Sequence, residues 1–597
     1  MASQTQQTSE PVWGVKMRQP RVSLGIERFP APVARRLGRR AGRFLAPLTA
    51  CLVPICAATA QTVPERLPGP VQPGTELERV IPPAVPEERP AIEVPEIPAP
   101  APPTGAEAVT FPLAGLVIDG VTVYEPGTLE PLYADFLGEE VSLSTLYEIA
   151  ARIEARYRDD GYILSRVVVP AQSVDDNVFR LQVIEGFISA VVLQGEVGSS
   201  RSLIEGYLAH IPEVRPTDLG TIERYLLLVN DLPGIEAVGV LRPSSTAVGA
   251  AELVVVAERD PFDGFAAVDN RGSKFTGPWG TSVGASANAF TRFGERTSLI
   301  LFSTPDLEEQ RIGQISYEQR LGTEGLVARA TASYGDSEPG STLERFDVET
   351  DTLLLSGSLI YPVIRSRRTS LYLEGGFEYL DADSDIFGNE TFTKDRLRVV
   401  YGSAALSHND SFDGASFVQV GLRQGLDIFG ASDEGDDFLS RADASGVFTT
   451  AFASASRLQG VTDDVTLFAK VEGQYAFDDL LSPEEFAVGG LTVGRGYDPA
   501  ELLGDHGLGI ATELQYNGAL SWPRAYQLYA FYDVGIVWDE DFDNNDRASL
   551  ASAGLGVRAM LADWLNAELE FAKPLTRERA SDGDRSGRVY LRVVGQF

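Results

Sequence analysis

From about residue 260 to the C-terminus, apolar and polar residues alternate in run after run. Between Ala525 and Trp538, Tyr526, Leu528, Ala530, Tyr532, Val534, Ile536 and Trp538 share one face. Gln527, Tyr529, Phe531, Asp533 and Gly535 share the other. A period of two predicts a strand. An unbroken apolar face with aromatics at its ends predicts a strand that meets lipid between two interfacial girdles. Leu508, Ile510, Leu514 and Tyr516 repeat the pattern, with Gly509, Ala511, Glu513 and Gln515 facing inward, and Val589, Leu591, Val593 and Phe597 share a face at the end of the chain. Sixteen such strands are predicted, starting near 262, 278, 295, 311, 325, 350, 368, 396, 414, 446, 464, 508, 526, 549, 565 and 586. An even number suits a closed outer-membrane barrel. Every second connection is short, and many of the others are long and rich in Asp and Gly, as at 335–349, 380–394, 426–445 and 477–507. Short turns on one side and long loops on the other belong to such barrels, and a soluble β-sandwich does not require them. The preceding domains then lie on the short-turn, periplasmic side.

Upstream the period changes. Leu143, Leu146, Ile149, Ile153 and Tyr157 recur every three or four residues, which predicts a helix over Ser142 to Asp160 stopped by Gly161. Residues 107–186 read strand (Val117 to Tyr124), short helix (Leu129 to Phe136), long helix, and two strands (Arg166 to Pro170, Val178 to Glu185). The order repeats over 187–258, with the Asp218 to Asp231 helix carrying Leu219, Ile222, Leu226 and Val229. Two adjacent βααββ units form an internal repeat.

Charge divides the chain. Residues 1–60 hold nine Lys/Arg and two Asp/Glu, against a net −35 for the whole, so the remainder carries −42. A basic stretch at 34–43, an apolar run from Phe44 to Ala57 and Ala58-Thr59-Ala60 predict a signal peptide over 1–60. Leu48-Thr49-Ala50-Cys51 offers a rival lipoprotein box with a short apolar run. Residues 61–106 are a Pro-rich linker, with thirteen prolines in 61–104. The acidic body argues against nucleic acid as a partner. Cysteines occur only at 51 and 56 and histidines only at 210, 408 and 506, a poor inventory for metal or acid–base chemistry. No metal, cofactor or catalytic set is expected. The acidic run at 539–546 lacks the Gly and the final Glu of a calcium loop.

One stretch breaks the strand rhythm. Val488 to Gly507 holds six glycines and a single cation, Arg495, flanked by Gly494 and Gly496. A loop of this length requires a functional reason. Here it predicts backbone folded back in a confined space, with Arg495 free to reach a fixed acidic partner.

Signal peptide, Pro-rich spacer, two modules, sixteen strands and G-R-G-Y-D-P-A-E-L-L-G-D together resemble the two-partner secretion transporters (TpsB, the haemolysin secretion/activation type), of the BamA/TpsB superfamily of outer-membrane barrels. Phe531-x-Asp533-x-Gly535 and the V-D-N-R-G-S run from Val268 to Ser273 add to the likeness. The resemblance implies a membrane all-β fold, a barrel over 260–597 behind two POTRA domains, with loop 478–507 folded into the lumen. It implies a lumen-loop motif of Gly494, Arg495, Gly496 and Tyr497 facing a wall site of Asp533, Phe531 and Gly535, with Glu513 as a second acceptor. It implies a non-enzyme of the Gram-negative outer membrane that exports a large adhesin- or haemolysin-type exoprotein. The exoprotein would be bound by the POTRA domains, and the last strand, ending on Phe597, would be read by the barrel assembly machinery. The alternative within the superfamily is a BamA-like assembly factor, which usually carries three or more POTRA domains. Two departures are expected to matter. Gly494 stands where the family has Val or Ile, so the loop is expected to pack more loosely. The prolines of the spacer leave little room for a helix that plugs the barrel.

Overall fold

The computed structural model describes residues 66–74, 77, 92–93, 101–173, 176–388, 390–539 and 547–597. The predicted signal peptide and most of the acidic run at 539–546 lie outside these residues.

After a two-residue strand β1 (Ile92–Glu93), the first module contains β2 (Thr110–Pro112), β3 (Gly115–Asp119), β4 (Glu140–Ser142), α1 (Leu143–Asp159), β5 (Arg166–Val168) and β6 (Val178–Ile184). β6 is the centre of a three-stranded sheet, parallel to β3 and antiparallel to β5. Leu146, Ile149, Ile153 and Tyr157 of α1 are fully buried against it, as their spacing requires. Gly161 ends the helix at φ +94°, a left-handed stop. The short helix expected over Leu129 to Phe136 is instead two single 3₁₀ turns, Glu130–Leu132 and Ala134–Phe136. Pro131 in the first turn and too few residues to propagate an α-helix account for this.

The second module repeats the plan with β7 (Phe187–Gln194), α2 (Arg201–Leu208), α3 (Leu219–Asn230), β8 (Ile235–Pro243) and β9 (Ala250–Arg259). Its first strand is again parallel to its last and its middle strand antiparallel to it. Asp218 caps α3 by accepting from the Thr221 amide at 2.8 Å. β1 adds to the outer edge of β8 in parallel, pairing Ile92 with Gly239 and Glu93 with Val240.

The sixteen barrel strands comprise eleven before the Gly-rich loop and five after it. The first group is β10 (Phe262–Asp269), β11 (Gly280–Asn288), β12 (Arg296–Ser303), β13 (Arg311–Leu321), β14 (Leu326–Ser337), β15 (Glu349–Arg365), β16 (Thr369–Ile386), β17 (Glu390–Asn409), β18 (Gly414–Gly425), β19 (Thr449–Gly460) and β20 (Val465–Ala476). The loop contributes a small hairpin, β21 (Phe486–Val488) with β22 (Leu502–Gly504). Then follow β23 (His506–Gly518), β24 (Ala525–Trp538), β25 (Ala548–Ala562), β26 (Leu565–Pro574) and β27 (Arg588–Gln596). All are antiparallel to their neighbours, and β27 closes on β10. The largest error in the expected starts is at β17, which begins at 390 rather than 396, because its ladder with β16 continues to the pair Ile386 and Glu390 at the tip of the long connection. The alternation on β24 is as read: Leu528 and Tyr532 are exposed to the outside, whereas Tyr529, Phe531 and Asp533 are buried within.

The spacer departs from expectation. It forms no α-helix among the described residues, yet Arg66 to Gly74 is tucked among the extracellular loops. Leu67 and Val71 are buried against Phe275, Leu343, Phe346, Val348 and Ile386. Leu77 rests on inner-wall residues Ile300, Phe302 and Ile312. A 3₁₀ turn at Gly69–Val71 tolerates Pro70 near its start, so a Pro-rich chain fills this space without a helix.

Candidate functional site: the Arg495 hairpin and the inner wall

The loop between β20 and β23 turns inward and lies against the inner faces of β23 to β26. Glycines set how close it comes. A Cβ at Gly496 would meet the backbone of Lys573 and Pro574 at 2.8 Å, and one at Gly535 would meet Cγ1 of Val488 at 2.2 Å. Gly535 leaves the space on the wall that the Val488 side chain fills.

Arg495 is the centre of the contact. Its Nε donates to Asp533 Oδ2 at 2.9 Å and its Nη2 to Oδ1 at 2.8 Å, the two-pronged geometry of a guanidinium on a carboxylate. Its backbone amide donates to the same carboxylate at 3.1 Å. Its Nη1 donates to Glu513. Its guanidinium carbon stands 3.7 Å from the centroid of the Phe531 ring, stacked on a π-face. Arg495 is 5% exposed and Asp533 fully buried. Tyr497, also buried, donates its hydroxyl to the Ala551 carbonyl at 3.2 Å and receives the amide of Arg577 at 3.1 Å. The structure thus brings together Arg495, Gly496 and Tyr497 with Asp533, Phe531, Gly535 and Glu513.

Gly494 does something other than loosen the loop. It sits at φ +88°, and a Cβ there would meet Leu550 at 2.6 Å. The apolar anchor is one residue earlier: Val493 is buried with Val488, Tyr497, Ala511, Val537 and Leu550. The hairpin is therefore well packed, which corrects the expectation of looseness. Position 494 abuts the same cluster too closely for a side chain, so Val493 supplies the apolar contact.

Several partners escaped the sequence reading. Glu570 lies 3.8 Å from Arg495 and receives Arg271 of the β10–β11 loop at 3.1 Å. Arg558 donates to Glu513 at 3.0 Å and to Glu568 at 3.2 Å, and the Tyr529 hydroxyl bridges Glu568 and Glu570 at 2.7 and 2.8 Å. The signal was present as inward parity on β25 and β26, but only the register of three adjacent strands brings these groups level. On its outer side the hairpin is held by Arg588 to Asp498 at 2.6 Å, by Arg441 to Asp505 Oδ2 at 3.1 Å, and by Arg66 to Glu485 and to Ser482 at 2.9 Å. Of the other histidines flagged by their scarcity, His506 opens β23, stacked on Trp538, and His210 follows α2 with its Nε2 3.0 Å from the Thr323 hydroxyl. Glu485, Asp505 and Asp539 cluster closely enough to suggest a cation site, but Arg441 already lies among them.

The haemolysin secretion/activation protein family ShlB/FhaC/HecB matches residues 251–559, and the ShlB-type POTRA domain matches residues 111–186. Among curated relatives, the heme/hemopexin transporter protein HuxB of Haemophilus influenzae is 23% identical over 467 residues, covering 75% of this chain and 80% of that protein. The outer membrane transporter CdiB of Dickeya dadantii is 22% identical over 474 residues, covering 74% and 79%. Among solved structures, CdiB from Escherichia coli superposes with a TM-score of 0.69 at 20% identity, over 84% of this chain and 93% of that one. CdiB from Acinetobacter baumannii gives 0.59 at 15%, over 82% and 90%. The chain belongs to the haemolysin secretion/activation protein family, the outer-membrane transporters of two-partner secretion, with its POTRA modules in the periplasm.

Proposed function

We propose that this transporter moves an unfolded exoprotein of adhesin or haemolysin type through its barrel, and that the Arg495 hairpin is the latch that holds the lumen in its resting state. The observation that carries the reading is the clamp itself, a guanidinium forked on Asp533, bonded to Glu513 and stacked on Phe531. Removing one partner of a buried ion pair costs about 3–5 kcal/mol, enough to shift a loop between two positions by orders of magnitude. The division of labour that goes with it is a signal peptide over 1–60, a linker over 61–106, POTRA domains over 107–186 and 187–258, and the barrel from 260. The exoprotein adds as a strand to free sheet edges of the POTRA domains. Lipid surrounds the outward faces of the strands, and the assembly machinery reads the strand that ends on Phe597. No covalent chemistry enters this reading.

The test is secretion of the cognate exoprotein by cells carrying Arg495→Ala. The folded, heat-modifiable barrel is expected at normal level, with secretion down about tenfold or more. Arg495→Lys should fare little better, since an ammonium keeps the charge but loses the fork and the stacking. Normal secretion by both variants would overturn the latch.

A further inference from the structure

A cavity of about 330 Å³ lies at the periplasmic mouth of the barrel, between α3 of the second module and the short turns of the barrel. Leu227 of α3 stands on one side of it, and Phe417, Leu458 and Phe468 stand on the other. These three belong to the inner wall. Phe417 is six residues before Arg423 on β18, the same face, and Arg423 reaches inward to Glu484 at 2.9 Å. Phe468 shares its face of β20 with Glu472, which meets Thr492 of the infolded loop at 3.4 Å. Leu458 is directly opposite Phe468 in the ladder, and Phe417 is opposite Ser456. Phe417 is 42% and Leu458 41% exposed. Neighbouring inward positions, Gln419, Ser456, Lys470 and Glu472, are polar, as a water-filled lumen demands. Apolar side chains left bare in such a lumen mark a surface that something else covers.

The rim of the cavity is cationic. Arg365 is forked on Asp231 at 2.9 and 2.6 Å, and Arg367 donates to Glu223 at 2.9 Å, so both are neutralised by the second module. Arg368, in the same turn, is exposed and has no ion pair among the described residues. A cation without a counter-charge, next to an apolar recess, is an uncommon pairing in a chain of net −35.

We propose that this recess reads the exoprotein as it enters the barrel. A bulky apolar side chain of an extended segment seats on Phe417, Leu458 and Phe468, and a carboxylate two residues away pairs with Arg368. In an extended chain, residues two apart share a face, which matches one recess beside one charge. The cavity admits side chains and not a folded element. Its apolar part, Phe417, Leu458 and Phe468, is on the inner face of the strands. The inference rests on the export reading above and names a subsite along its path.

The test uses the full chain in lipid nanodiscs and three fluorescent peptides, repeats of Phe-Ser-Asp-Ser, Phe-Ser-Lys-Ser and Ser-Ser-Asp-Ser. The Phe/Asp peptide is expected to bind about tenfold more tightly than the other two. Phe417→Ser and Phe468→Ser should each erode that margin severalfold. Arg368→Glu, on an exposed turn where folding is not at stake, should move the preference to the Phe/Lys peptide. Equal binding of the three peptides by the unaltered protein, or a Phe/Asp preference that survives Arg368→Glu, would overturn the proposal. The readout needs no secretion. Normal export by the Arg495 variants would remove the latch and leave this result standing, whereas lack of discrimination by a barrel that still secretes would remove the recess alone.

Discussion

A single carboxylate joins three parts of the first module. Glu185, at the end of β6, receives the amides of Thr122 at 2.7 Å and Val123 at 3.0 Å, the Thr122 hydroxyl, and the Tyr157 hydroxyl of α1 at 2.8 Å. Burial pushes its carboxyl up, but the hydrogen bonds from Thr122, Tyr157 and Val123 outweigh burial and hold it below the ordinary glutamate range. A carboxyl depressed in the folded state stabilises the fold above its unfolded pKa, and that stabilisation is lost as pH falls through the folded value. Glu185→Gln should therefore lower the stability of the module at neutral pH by about 1 kcal/mol, the site being partly solvated. It should also flatten the loss of stability below about pH 4.5. Thermal melts of the full chain in detergent, followed by fluorescence across that range, would show both effects, and parallel acid profiles for the two proteins would refute the assignment. At this scale, what the sequence made legible followed from parity. Asp533 and Glu513 were placed on the inner face by alternation alone, because a strand allows only two directions. Glu568, Glu570 and Arg558 were equally inward but went unnoticed, since which inward residues stand level depends on inter-strand register, and no local pattern encodes it.

Elements were read best where a period persists. Sixteen strands and the stripe of α1 emerged from repetition, while the 3₁₀ turns at Glu130–Leu132 and Ala134–Phe136 are too short to have a period. The spacer was the least legible element. Its prolines leave little room for a plug helix, yet Leu67, Val71 and Leu77 pack against loop and inner-wall residues of the barrel without one. Arg66 is tied to Glu485 and Ser482 of the infolded loop, and Gly69 lies so close that a Cβ would stand 1.8 Å from the Ala500 carbonyl. Residues 66–74 and the hairpin thus form one packed unit at the extracellular end. Deleting residues 66–77 should raise single-channel conductance in planar bilayers while the barrel still inserts. Unchanged conductance would mean that this segment does not obstruct the pore.

For the molecule as a whole, the closing seam separates two ways of moving a protein. β10 and β27 pair over five residues, Phe265 to Asp269 against Arg592 to Gln596, whereas β16 and β17 pair over eighteen. A barrel that releases strands sideways must part its weakest pair, and one that exports through its lumen need not. Ala267 faces Val594 across the seam. Locking the seam with Ala267→Cys and Val594→Cys should leave secretion within about twofold of the reduced protein, since no ladder has to open. Loss of secretion on oxidation, restored by reductant, would point to a lateral path instead.

The two residues of β1 bear on traffic at the second module. For any strand offered to the outer edge of β8, that edge is already taken, by Ile92 and Glu93 of the same polypeptide. A two-residue ladder is nonetheless a weak rival. A chain that adds to this edge would have to displace Ile92 and Glu93 first, and a ladder longer than two residues would do so more readily than one as short as theirs.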